Sequence, residues 1–217
     1  MSTLDLTRIL SSPRLPDIAA ALNDRLRLED ENRRRFRDEM SDDRKLEFID
    51  GEVIVHSPAR NRHLIAKLNL ASLLLAHVRR HDLGEVRDEK CLCVFPRNDY
   101  EPDVVFFGPG KAAAFEGETM LFPVPDFVVE VLSDSTESRD RGVKFEDFEA
   151  HGVGEYWIVD PDAEMVEQYL LEAGRFQLRV KSGSGEISSR VVAGFSIPIL
   201  AIFDDQDNLA TLKRLLG

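Results

Sequence analysis

The segment DFVVEVLS, residues 126 to 133, constrains the fold more than any other stretch of the chain. It is apolar on both faces, the pattern of a central strand in a sheet covered on both sides. Glu130 interrupts it. Period-two geometry places Glu130 on the side of Val128 and Leu132, opposite Val129 and Val131. An ionised carboxylate among such neighbours is costly unless a cation or strong donors meet it. The chain must therefore build layers on both faces of this strand and also bring a partner to Glu130.

The remaining sequence supplies those layers. Asp50-Gly51, between LEFI and EVIVH, gives a hairpin signal, because a type I′ turn needs positive φ at both central residues. The stretch from Ala59 to Gly84 predicts a long amphipathic helix with Leu64, Leu68, Ala71, Leu75 and Val78 on one face and Gly84 as its stop. Three β-like runs follow, EVRDEKCLCVFP, YEPDVVFFG and DFVVEVLS, then a helix over about 138–151 ending at Gly152, and the strand EYWIVDP. A hairpin around Ala173-Gly174 and a short amphipathic C-terminal helix complete the order. The expectation is an α/β (α+β) domain with a mixed sheet flanked by helices, spanning residues 44–217. Residues 17–45 read as a helix with a thin apolar stripe, so residues 1–43 are expected to form a helical extension.

Composition narrows the class. The 217 residues carry 28 Lys+Arg against 40 Asp+Glu, a formal net charge of −12 that argues against non-specific coating of nucleic acid. An enzyme holding divalent metals on carboxylates remains compatible with that charge. No run of about 18 apolar residues is present to span a bilayer, and the N-terminus lacks a basic stretch followed by an apolar core, so the expectation is a cytoplasmic protein without a membrane segment. Cys91 and Cys93 alternate on one side of a strand and read as reduced, packed thiols. No Gly-rich phosphate loop, GxSxG elbow or HExxH motif occurs.

The candidate chemistry lies in acids within apolar strands. Asp103 and Glu130 converge if their strands pair, and oxygen ligands of this kind, completed by waters, suit Mg²⁺. Asp103 alone divides evenly between that role and a structural ion pair, whereas Glu130 in a buried strand is a poor solvated acid. Glu47, alternating with Leu46 and Phe48, reads on its own as an outward-facing strand residue. His63, near the start of the long helix, reads on its own as a packed or surface residue. Arg60, Arg62 and Lys67, with Arg79 and Arg80, give that helix a basic character fit for phosphate contact, with a solvated face as the default. Lys144 follows Asp140 by four residues, either as a surface pair or as an ammonium near the acids.

Taken in order, LEFIDGE, SPARNRH, EPDVVF, FVVEVLSDST, DRGVKFEDFEAHGVGEYWIVDP and GFSI resemble the Uma family of restriction endonucleases within the PD-(D/E)XK nuclease superfamily, over roughly Arg44 to Phe203. The resemblance implies a restriction-endonuclease-like fold and a DNA endonuclease dependent on Mg²⁺ or Mn²⁺. Asp103 and Glu130 match its metal ligands, Lys144 its charge-stabilising lysine, Glu47 its acid before the hairpin, and His63 the histidine opening its helix. Leu132 stands two after Glu130, where the superfamily's usual lysine would be, so the cation must come from Lys144. A homodimer is expected, since two sites about a two-fold axis cut both strands. The alternative is a catalytically inactive binding or regulatory module on the same scaffold.

Overall fold

The computed structural model describes residues 3–40 and 44–217, with side chains from Leu6 onward. Two helices come first, α1 (Thr3–Leu10) and α2 (Leu15–Glu39), followed by the hairpin β1 (Leu46–Ile49) and β2 (Glu52–Val55) and the long helix α3 (Asn61–His81). Then come β3 (Glu85–Asp88), β4 (Leu92–Val94), β5 (Asp99–Tyr100), β6 (Val104–Phe107), α4 (Pro109–Ala112), β7 (Leu121–Phe122) and β8 (Phe127–Val131). The chain continues through α5 (Glu137–Asp140), α6 (Val143–Ala150), β9 (Glu155–Asp160), β10 (Met165–Glu172), β11 (Arg175–Ser182), β12 (Glu186–Ser188), β13 (Ser196–Pro198), a 3₁₀ turn (Ile199–Ile202) and α7 (Asp205–Leu216). Among the described residues no helix is long and apolar enough to cross a membrane.

The strands form a six-stranded sheet, β11-β10-β9-β8-β6-β3, a five-stranded sheet, β2-β1-β5-β4-β7, and the ribbon β12-β13. Two of the expected strand runs are each divided: EVRDEKCLCVFP gives β3 to the larger sheet and β4 to the smaller, and YEPDVVFFG likewise gives β5 and β6. The helix expected over 138–151 is also two, α5 and α6. Its break falls at Gly142, where an added Cβ would lie 2.6 Å from the Ser138 carbonyl oxygen. Only glycine permits that approach.

The central strands are buried on both faces, as DFVVEVLS demands. Val104, Phe106, Val129, Val131, Trp157 and Val159 pack under α3, the ribbon and the 3₁₀ turn. Val105, Phe107, Val128, Leu132, Tyr156 and Ile158 pack against α6 and the smaller sheet. β8 and β9 are parallel, so α5 and α6 form the crossover that joins them. Glu130 points to the face that this crossover covers.

In α3 the buried stripe differs from the expected one. His63, Ala66, Leu70, Leu73, Leu74, His77 and Val78 are buried, whereas Leu64 and Leu68 are 41% and 65% exposed. Leucine is frequent all round this helix, so spacing alone admits two stripes, and the one chosen carries two histidines. The helix stops at Asp82, left-handed at φ 52°, with the N–H groups of Asp82 and Leu83 donating to the Val78 carbonyl. Gly84 lies beyond that stop, at φ 131° against the backbone of Phe107.

The N-terminal helix proves to cover part of the domain. α2 ends at Glu39, with Met40 already extended at φ −63° and ψ 142°; the continuation expected over 41–43 and the boundary placed at 43 lie outside the described residues. Phe36 packs with Phe48 and Leu92, joined by Met40 and Leu46, so α2 roofs one face of β1. Arg33 and Arg37 both donate to Asp99 of β5, at 2.9 and 2.8 Å. Expected outcome: Phe48→Ala, which empties this contact, lowers stability by about 3–5 kcal/mol, read as the shift of the urea unfolding midpoint at constant slope.

Candidate active site

β6 and β8 pair antiparallel with Val104 opposite Val129, so Asp103 and Glu130 occupy neighbouring positions at one end of the pair. Each is fixed by the other's strand. The Asp103 N–H donates to Glu130 Oε2 at 3.3 Å, and the Val131 N–H donates to Asp103 Oδ2 at 2.9 Å. Both side chains are almost fully buried at the floor of a cleft of about 750 Å³. Lys45, His56, Arg60, Arg62, His63, Ser133 and Lys144 are among the residues lining that cleft.

Lys144 reaches the floor from the first turn of α6. Its Nζ lies 2.8 Å from Glu130 Oε1, 2.9 Å from Glu47 Oε1 and 3.4 Å from Asp140 Oδ1, with the side chain 2% exposed. The pairing of Lys144 with Asp140 is therefore a buried contact across the α5–α6 break. Leu132, two after Glu130, goes to the core, and the cation on Glu130 comes from the crossover.

Glu47 is not an outward-facing strand residue. It is 0% exposed, because α2 covers the Phe48 face of β1 and leaves the Glu47 face inside. Its carboxylate ion-pairs with Lys144 and accepts from His56 Nε2 at 2.9 Å and from the Glu101 N–H at 3.1 Å. Lys45, one residue before β1, shares the inward side by period-two alternation, and its Nζ donates to Asp103 Oδ1 at 2.8 Å. Lys45, His56 and Glu101 did not stand out in the sequence. The signal was present, since an inward Glu47 carries Lys45 with it at i−2.

The proposed phosphate-contact residues separate. Arg60 and Arg62 stand at the cleft mouth, half or more exposed, paired with Asp134 at 2.7 Å and with Asp162 respectively. His63 is buried, with Nε2 3.6 Å from Asp103 Oδ2 and, among the described residues, Nδ1 without a hydrogen-bond partner. Lys67 is buried beside Glu89, 2.8 Å away, and is not part of the cleft wall.

Three carboxylates around one buried ammonium cannot all ionise cheaply. Burial pushes Glu130 well above the usual carboxylate range, with Lys144 opposing and Asp140 and Asp103 adding to the rise. Burial likewise raises Asp140, neither of whose oxygens makes a well-aligned hydrogen bond among the described residues. For Glu47 burial acts upward, but Lys144 and His56 outweigh it and hold the carboxyl at about 2. Asp103 is also held low, since Lys45 and His63 overcome its desolvation. Burial disfavours the Lys144 charge, yet Glu130, Glu47 and Asp140 keep it protonated. Glu101, desolvated but accepting from the Leu46 N–H, is pushed up to about 7.

Among the described residues no three His, Cys, Asp or Glu side chains form a ready cage for a metal ion. Mg²⁺ needs less, being held by one or two carboxylates with waters and substrate phosphates. Asp103 and Glu130 fit that pattern: they are adjacent hard oxygen donors in a cluster where five carboxylates, with Glu47, Glu101 and Asp140, surround two lysines.

Residues 29–200 match the model of the Uma2 family, described as "Putative restriction endonuclease". The match begins inside α2, so it takes in the part of that helix that roofs β1. Among solved structures, the fold is similar to that of "a putative nuclease belonging to DUF820" from Anabaena variabilis ATCC 29413, at TM-score 0.67 and 17% identity, covering 82% of this chain and 96% of that one. No curated protein matches the sequence.

Expected outcome: Lys144→Met destabilises the fold by about 3–5 kcal/mol near neutral pH, because it strands buried acids without their cation. The sign with pH follows from linkage. Without Lys144, Glu130 and Asp140 have folded pKa values still further above their unfolded ones, so the variant recovers stability as pH falls toward 4.5 and loses it as pH rises. Urea unfolding of both proteins from pH 5 to 8 checks this; a deficit independent of pH would contradict it.

Proposed function

This chain belongs to the Uma2 family of "Putative restriction endonuclease" proteins, and on that premise we propose that it is a metal-dependent DNA endonuclease acting through Asp103 and Glu130. The observation that carries this reading is the convergence of those two carboxylates at one end of the β6–β8 pair, with Lys144 delivered onto Glu130 by the crossover helix.

Asp103 and Glu130 would hold Mg²⁺ or Mn²⁺. When bound, such an ion lowers the pKa of a water and offsets charge on the scissile phosphate. The chain's own residues do the positioning. Lys144 donates to Glu130 and ion-pairs with Glu47 and Asp140, so it orients the floor of the site and keeps Glu47 turned inward. Glu47 in turn fixes His56 and the Glu101 backbone. His63 orients Asp103 from the helix side. Arg60 and Arg62 at the mouth exchange Asp134 and Asp162 for phosphates of the incoming strand, a contact that positions DNA without reading its sequence.

Expected outcome: Asp103→Asn and Glu130→Gln each abolish duplex cleavage and weaken calorimetric Mn²⁺ binding, while their circular dichroism spectra stay those of the wild type. Cleavage at the wild-type rate in either variant overturns the site. A wild type that binds no Mn²⁺, with or without duplex, favours instead a binding module on the nuclease scaffold.

We also propose that the working form is a homodimer built on the N-terminal helices. Leu22 and Leu26 are 58% and 50% exposed on the stripe of α2 that farther along buries Phe36, so the stripe continues past the body uncovered. Residues 3–40 balance eight acids with eight Arg, against a whole-chain charge of −12, so two such helices meet without the repulsion of the bodies. Expected outcome: the double substitution Leu22→Glu, Leu26→Glu halves the mass seen by light scattering; an unchanged mass places the interface elsewhere.

A further inference from the structure

Two lysines stand on the acids of the cleft floor, and they differ in what they have left to give. An ammonium has three donors. Lys144 is hydrogen-bonded to Glu130, lies within ion-pair distance of Glu47 and Asp140 and is 2% exposed, so it is enclosed away from a substrate. Lys45 makes one hydrogen bond among the described residues, to Asp103 Oδ1, and its side chain is 19% exposed on the cleft wall. It therefore keeps two donors and a path to the substrate.

The two oxygens of Asp103 are equally unlike. Oδ2 is committed inward, accepting from the Val131 N–H at 2.9 Å and facing His63. Among the described residues Oδ1 is hydrogen-bonded by Lys45 alone, at 2.8 Å. A divalent cation shared by Asp103 and Glu130 needs an oxygen of Asp103, and Oδ1 is the one whose present partner is a lysine side chain instead of a strand backbone. Two cations cannot share it closely without strong repulsion at the low effective dielectric of a buried site.

We propose that Lys45 holds the metal's place on Asp103 Oδ1 in the metal-free protein, and that on metal binding it swings into the cleft and becomes the ammonium that contacts the phosphodiester of DNA. The proposal rests on the metal-dependent reading of Asp103 and Glu130. Its chemistry is economical. In the metal-free state Lys45 spares Asp103 an uncompensated buried charge; in the loaded state the same charge neutralises a phosphate, a task Lys144 is too enclosed to perform. The cleft wall beside it, with Arg44, Lys90 and Arg60, is favourable to the anion but not to the displaced lysine alone, so substrate and metal stabilise the swung-out state together.

The test uses the full chain as wild type, Lys45→Met and Lys45→Arg. Mn²⁺ is titrated calorimetrically into each. Removing the competing charge tightens Mn²⁺ binding in Lys45→Met by about tenfold or more, whereas Lys45→Arg stays near the wild type. Unchanged or weaker binding in Lys45→Met overturns the proposal. Binding of a short fluorescent duplex is then followed against salt, with Ca²⁺ and without any divalent cation. With Ca²⁺ the slope of log affinity against log salt is shallower in Lys45→Met by about 0.9, one phosphate contact; without it the two proteins coincide. Equal slopes with Ca²⁺ overturn the proposal, and a merely structural lysine would not make the difference depend on the cation. Lys45→Gln, which retains a donor for Asp103, replaces Lys45→Met in both measurements if the latter does not fold. Absence of Mn²⁺ binding in all proteins, the wild type included, is the distinct result that removes the metal-dependent reading itself, and this proposal with it.

Discussion

The ammonium of Lys144 is the interaction on which the arrangement depends. It joins Glu130 of the larger sheet, Glu47 of the smaller sheet and Asp140 of the crossover, three parts of the chain that share no backbone hydrogen bonds at that point. Replacing such a cluster wholly by apolar side chains would often be neutral for stability, whereas losing one member leaves unpaired buried charge. The cluster therefore specifies the relative placement of the two sheets more than it stabilises them. Lys144 arrives there after the break at Gly142 between α5 and α6, in the first turn of the second helix, from which its ammonium meets Glu130 of β8. A continuous helix through that region would carry its lysine along a single straight axis.

The cluster also explains how a chain with a net charge of −12 presents an acidic floor and a basic rim in one cleft. Acids outnumber cations on the floor, and burial raises Glu130 and Asp140 above the usual carboxylate range. At the rim, Arg60 and Arg62 are neutralised by exposed aspartates. Exposed pairs of this kind are worth little and exchange readily, so the rim arginines can be given up to another anion, whereas the floor pairs are buried. Net charge thus says little about such a site; depth and exchangeability of each pair say more.

How much of this could be read in the sequence depends on where each residue's neighbours lie along the chain. DFVVEVLS carried its own context, and both its burial on two faces and the orientation of Glu130 follow from alternation within eight residues. Asp103 and Glu130 converge through one strand pairing, the next simplest case. The Asp50-Gly51 and Ala173-Gly174 turns were legible because positive φ at both positions is a local demand, met at 53° and 90° and at 50° and 76°. Glu47 was misread because its burial depends on α2, which covers the opposite face of β1 from more than ten residues upstream. The stripe of α3 was misread because leucine all round the helix leaves the choice to the surface it meets. The split of two β runs between sheets is a tertiary event: β5 and β6 are separated by only Glu101, Pro102 and Asp103, and nothing in their propensity marks the change of sheet.

The same dependence gives the N-terminal helix a place in the chemistry. Arg33 and Arg37 clamp Asp99 of β5, whose backbone pairs with Phe48 of β1, and the residue before Phe48 is Glu47. Bidentate guanidinium–carboxylate contacts fix orientation as well as distance, so the clamp ties α2 to the strand beside β1. Phe36 then closes the far side of β1, and Glu47 has nowhere to turn but toward Lys144. A helix that contributes no residue to the cleft wall in this way decides the direction of an acid on its floor. The alternation that places Lys45 beside Glu47 carries that control one step farther, to the cation on Asp103.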